Sequence, residues 1–103
     1  MAKKILQINV RFNVTAKELK DEFKSAAVPI SGVPGLKWKI FGMNEDQKGG
    51  AGIYLFEDEE SMKAYLNGPI IAAMKEKKAF SDINVKTFDV VEEATAITRG
   101  PVG

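Results

Sequence analysis

The stretch Gly49–Phe56, GGAGIYLF, offers no polar side to water. Side chains alternate along a strand, so Ala51, Ile53 and Leu55 point one way and Tyr54 and Phe56 the other, behind a glycine-rich start. A strand covered by helices on one side only would carry polar residues on its other side. Both faces of this strand therefore call for cover. In a chain of 103 residues helices can supply one cover, and a second subunit is the natural source of the other. An internal strand with one mildly apolar, half-exposed face is the plainer alternative.

Composition narrows the chemistry. The length suits one domain, residues 1–103, and 45% hydrophobic with 28% charged residues is ordinary for a globular chain. A net charge of +1 supplies no general field for drawing in nucleic acid or an acidic membrane. There is no cysteine, which excludes disulfides, thiol chemistry and cysteine-held clusters. There is no histidine either, which removes the commonest metal ligand and the usual acid/base near neutral pH. The start, MAKK, lacks a secretory pattern and no segment is long enough to span a bilayer, so a cytoplasmic location and no membrane partner are expected.

Along the chain, Lys4–Phe12 reads as the first strand, with Leu6, Ile8, Val10 and Phe12 on one face and Gln7, Asn9 and Arg11 opposite. Thr15 with Glu18 forms a capping box for a helix whose stripe is Ala16, Leu19, Phe23 and Ala26 or Ala27. Pro29 is expected to stop it. Leu36–Met43 is the second strand, with Leu36, Trp38 and Ile40 on one face and Lys37, Lys39, Phe41 and Met43 on the other. Gly49–Phe56 is the third. Asp58 caps a second helix bearing Met62, Tyr65 and Leu66, Asn67-Gly68 interrupts it, and Pro69 opens a short continuation through Lys78. Ile83–Val90 is the fourth strand, and 91–103 is expected to be an extended or partly disordered tail.

The order β-α-β-β-α-β predicts an α+β, ferredoxin-like fold: a four-stranded antiparallel sheet with both helical elements on one side. The other face then needs a second sheet, and a homodimer follows as a physical expectation.

The same topology serves RNA-recognition modules, and Lys48–Leu55 echoes their third strand. The echo fails at Gly50 and Gly52, where base-stacking rings are required, so no nucleic-acid partner is expected. The glycines do not form a dinucleotide fingerprint, because they enter a strand rather than join a strand to a helix. They read as hairpin geometry and clearance for a large neighbour such as Trp38, or as the floor of a small apolar cavity.

Six residues remain for chemistry. Arg11 or Lys39 could stabilise developing negative charge, Asn9 could donate a hydrogen bond, and Tyr54 could share a proton, which makes Tyr54, Arg11 and Asn9 the catalytic candidates. Trp38, Lys39 and Tyr65 are the substrate-binding candidates, as aromatic wall and polar anchor. Strand parity alone does not make them converge. Each has a structural alternative: Trp38 and Tyr54 as packing, Lys39 and Arg11 as snorkelling or paired cations, Asn9 as a backbone partner and Tyr65 as the helix's inner wall.

Gly35-Leu36-Lys37-Trp38-Lys39, then Gly50–Phe56 with Asp58 and Glu59, then Ala64-Tyr65-Leu66 and Phe88-Asp89-Val90 resemble, in that order, the YdhR-like mono-oxygenases of the dimeric α/β-barrel superfamily. The resemblance implies a homodimer whose two sheets close into a barrel. It further implies oxygenation of a small aromatic, phenolic or quinol-like molecule with no cofactor, the deprotonated substrate itself reducing dioxygen in an apolar pocket. The six candidate residues rest on chemistry and strand position, not on the resemblance. Two alternatives stand beside it: an isomerase of the same barrel class, and a non-catalytic small-molecule-binding or structural homodimer.

Overall fold

The computed structural model describes residues 3–102. Eight elements follow one another: β1 (Lys4–Phe12), α1 (Ala16–Ser31), β2 (Leu36–Met43), β3 (Gly49–Phe56), α2 (Glu59–Leu66), α3 (Pro69–Glu76), β4 (Phe80–Asp89) and α4 (Glu92–Ile97). The strands form one sheet in the order β2-β3-β1-β4, with every neighbouring pair antiparallel. The fold is α+β and ferredoxin-like, extended by α4.

Register decides which residues meet the helices. Leu6 lies opposite Tyr54, and Tyr54 opposite Lys39, so these three share a face. On that face Leu6, Ile8, Tyr54 and Phe56 pack against Ile30, Met62, Tyr65 and Ile71 from the three helices α1–α3. Burying side chains such as Leu6 and Phe56 completely contributes about 1.5–3 kcal/mol each. The helix starts are fixed by their caps: the Thr15 hydroxyl accepts from the Glu18 amide, and the Asp58 carboxylate from the Ser61 amide. Gly35, at φ +80°, turns the chain into β2 where a side chain would run into Ser61.

Four sequence expectations are corrected. Pro29 does not stop α1, which continues to Ser31; Pro29 and Ser25, whose carbonyl loses its helical donor to the proline, both lie on the exposed side of the helix. Leu36 does not share a face with Trp38. A register shift between them turns Leu36 towards the helices, where it packs on the core, and leaves Trp38 beside Leu55 on the other face. β4 begins at Phe80 rather than Ile83, because a bulge opposite Val10 absorbs the extra residue and Asp82 takes a positive φ of 51° there. The segment beyond β4 is not extended throughout: it forms α4, after which the Trp38 indole donates to the Pro101 carbonyl at 2.9 Å and Val102 is buried. Gly103 of that expected tail lies outside the described residues, as do Met1 and Ala2.

The helix-free face carries Ile5, Ile53, Leu55, Trp38, Ile40 and Phe88. The chain end covers only part of it: Leu55 is buried, while Ile40 is 54% and Phe88 49% exposed.

Candidate active site

Between the sheet and helices α1 and α3 lies a cavity of about 240 Å³. Its walls are mainly apolar, among them Ile8, Phe41, Ile71 and Met74, and its polar lining comes from Lys39, Tyr54, Tyr65, Glu22 and Lys77. Of these, the half-exposed Glu22 and Lys77 form an ion pair of 2.6 Å, tying α1 to the end of α3. A larger groove of about 500 Å³ opens outside, lined by Pro34, Glu60, Ser61 and Gly68, and shares Pro29, Tyr65 and Ile70 with the cavity. It adds no basic group to the lining.

Tyr54 comes from the middle of β3 and Tyr65 from the inward face of α2. Their hydroxyls meet at 2.8 Å in a buried hydrogen bond, and their rings pack with centroids 5.2 Å apart. Burial, and after it the neighbouring Tyr65, pushes the Tyr54 phenol far above its ordinary pKa. Burial raises Tyr65 as well, against a smaller lowering by the hydrogen bond it shares with Tyr54. Both phenols therefore stay protonated near neutral pH, with one hydroxyl hydrogen used between them and the other left to donate elsewhere.

Lys39 extends from β2 along the same face. Its Nζ sits 3.9 Å from the centre of the Phe41 ring and 4.5 Å from that of Tyr54, in cation–π geometry. Among the described residues no carboxylate forms an ion pair with it. Burial lowers its pKa to about 8. Space for this side chain comes from Gly52: a Cβ there would stand 2.7 Å from Lys39 Cε and 3.1 Å from Tyr54 Cε1. The clearance at this glycine thus serves Lys39 and Tyr54 rather than Trp38.

The six candidates divide. Lys39, Tyr54 and Tyr65 converge on the cavity. Asn9, Arg11 and Trp38 stand on the helix-free face: the Asn9 carboxamide accepts from Gln7, Arg11 pairs with Asp46 at 3.5 Å, and Trp38 bonds to Pro101. Phe41 and the Glu22–Lys77 pair join the site without being among the six sequence candidates. Phe41 is legible in retrospect, two residues from Lys39 on one strand face; the ion pair is not, since it joins positions far apart in the chain.

Among the described residues there is no cluster of acidic residues suited to a metal ion, and no helix is long and apolar enough to cross a membrane. A family model described as "Putative mono-oxygenase ydhR" matches residues 5–101. No curated protein matches the sequence. Several solved structures share the fold. A Nitrosomonas europaea protein of unknown function is 22% identical, with a TM-score of 0.74 over 88% of this chain and 91% of its own. SnoaB, a cofactor-independent oxygenase from Streptomyces nogalater, is 14% identical, with a TM-score of 0.72 over 87% of this chain and 94% of its own. A protein from Deinococcus radiodurans, described as a putative antibiotic biosynthesis monooxygenase, is 14% identical, with a TM-score of 0.68 over 84% of this chain and 91% of its own.

Proposed function

We propose that this chain, which belongs to the YdhR mono-oxygenase family, oxygenates a small phenolic or quinol-like aromatic in the sheet–helix cavity without a bound cofactor. The observation that carries the reading is the convergence of one desolvated amine and two neutral phenols on an apolar space of about 240 Å³. That space suits one or two fused rings and is below the size of most drug-like pockets.

The chemistry uses what those residues offer. Lys39 in its neutral form takes the proton of a bound phenol, and the resulting ammonium pairs with the phenolate. The phenolate is electron-rich enough to pass an electron to dioxygen, and the apolar walls keep water from the intermediate. A naphthol and dioxygen then give a naphthoquinone and water. One oxygen atom becomes the new carbonyl, and the substrate supplies the two hydrogens and two electrons that turn the other into water. No external reductant enters the balance. Of the Tyr54–Tyr65 pair, the hydroxyl that accepts from its neighbour keeps its own hydrogen free to donate to the oxygen that gains charge. The fold shared with SnoaB supports the reading at the level of architecture.

A homodimer is part of the proposal. Ile40 and Phe88 are exposed on opposite edge strands of the helix-free face, where a second copy would cover them. Asn9, Arg11 and Trp38 are assigned to that face rather than to the reaction. The functional test is oxygen uptake with a panel of phenols, naphthols and quinols under air. Uptake with at least one ring system, reduced at least tenfold by Lys39→Met, supports the reading; no uptake across the panel overturns it.

A further inference from the structure

The Lys39 amine is unusual apart from any oxygen chemistry. It is a primary amine that faces an apolar cavity, lies over two aromatic rings, has no carboxylate partner among the described residues, and is given its space by a glycine. Among the described residues no other lysine combines these conditions. Lys63, for example, is largely exposed and pairs with Glu59 at 3.6 Å. We infer that Lys39 is a covalent capture site for small aromatic aldehydes, which it binds reversibly as an imine within the cavity.

The step balances without an added reactant. The neutral nitrogen attacks the carbonyl carbon, a C–N bond forms, and a proton passes from nitrogen to oxygen to give a carbinolamine. The carbinolamine then loses its oxygen as water, with protonation, to leave a C=N bond. An apolar, water-poor surrounding favours that loss. Burial that lowers the amine's pKa to about 8 keeps a useful fraction neutral at pH 8, where an ordinary lysine is almost wholly protonated. The titratable groups lining the same cavity are Tyr54, Tyr65, Glu22 and Lys77; the first two stay neutral at that pH, and the last two are paired with each other. The aldehyde's ring occupies the apolar space of the same cavity, which Phe41 and Met74 help to line.

The inference uses the cavity but not the oxygenase reading, and its test involves no oxygen. The whole protein is treated with benzaldehyde and a limiting amount of cyanoborohydride at pH 8, and the reduced adducts are located by peptide mass spectrometry. Lys39 should carry the adduct about tenfold faster than Lys63 or any other lysine. Added 2-naphthol should slow labelling at Lys39 alone. Gly52→Ala, which pushes on the Lys39 stem, should slow it as well. Labelling spread evenly over the surface lysines of the wild-type protein, with Lys39 no faster than the rest, would overturn the inference, and would do so even if the variant did not fold.

Discussion

Gly52 and Lys39 share one volume: the hydrogen on the glycine leaves room that a methyl group would take from the lysine's Cε, 2.7 Å away. The two residues lie on adjacent strands, β3 and β2, with Phe41 directly across from Gly52 in the register. The absent side chain at 52 lets the amine bend over Phe41 and Tyr54 instead of reaching for solvent. A glycine in a central strand ordinarily weakens it. Here it creates the cavity's single basic contact to the rings.

Gly52→Ala should therefore separate stability from ligand binding. The added methyl displaces Lys39 or Tyr54, an overpacking that costs about 1–3 kcal/mol, offset in part by the better strand propensity of alanine. Urea denaturation should show a modest loss, while calorimetric titration with 2-naphthol should show at least a tenfold loss of affinity. Unchanged affinity would remove Gly52 from the site.

The Tyr54–Tyr65 hydrogen bond should appear as coupling. Tyr54→Phe leaves the Tyr65 hydroxyl buried without its partner, and Tyr65→Phe does the reverse, each at about 1–2 kcal/mol. The double variant removes both hydroxyls and should cost less than the sum of the two. A double-mutant cycle by urea denaturation measures the difference, expected at about 1 kcal/mol.

Stability should rise with pH through the range in which Lys39 titrates. The folded protein lowers the Lys39 pKa from 10.5 to about 8, so between those values the unfolded chain binds more protons than the native one. The penalty is whole below pH 8 and is relieved towards pH 10.5. Lys39→Met should be more stable than wild type at pH 7, by up to about 3 kcal/mol, with the advantage shrinking above pH 8. Taking the difference between the two proteins cancels the titration of the tyrosines and the other lysines. Denaturation at stepped pH is the measurement.

Much of this arrangement is legible in the sequence because strand alternation and helix caps are local. Two-sided apolar character in β3, the Thr15 and Asp58 caps and the Asn67-Gly68-Pro69 break all follow from neighbouring residues. What escapes is set by partners far along the chain. Pro34-Gly35 mark a turn before Leu36, but nothing in Leu36-Lys37-Trp38 itself marks the register shift that turns Leu36 away from Trp38. It arises from matching Leu36 to Phe56 and Trp38 to Leu55 across the strand pair. The start of β4 at Phe80 is hidden because the strand runs through Ser81-Asp82 by bulging at Asp82 and Ile83, opposite Val10 of β1. The division of the six candidates between two faces is likewise a matter of which face the helices choose, and parity within one strand does not state that.

The chain end reports on the helix-free face. Removing Pro101–Gly103 takes away the acceptor of the only tryptophan and uncovers the Trp38 side of the sheet. Trp38 emission should shift to the red, with a loss of about 1–2 kcal/mol in stability for the lost burial of Val102. On the same face, Ile40→Glu with Phe88→Glu should move the sedimentation of a dimer to that of a monomer while leaving the circular dichroism spectrum in place.

Isotope labelling tests the central claim most directly. A naphthol that supports oxygen uptake is turned over under ¹⁸O₂ in protein stripped with chelator and free of added flavin, and the quinone is weighed by mass spectrometry. The account predicts one labelled oxygen in the quinone and one in water, with the rate falling at least tenfold in Lys39→Met. A quinone carrying no label, or an equal rate in Lys39→Met, would contradict it.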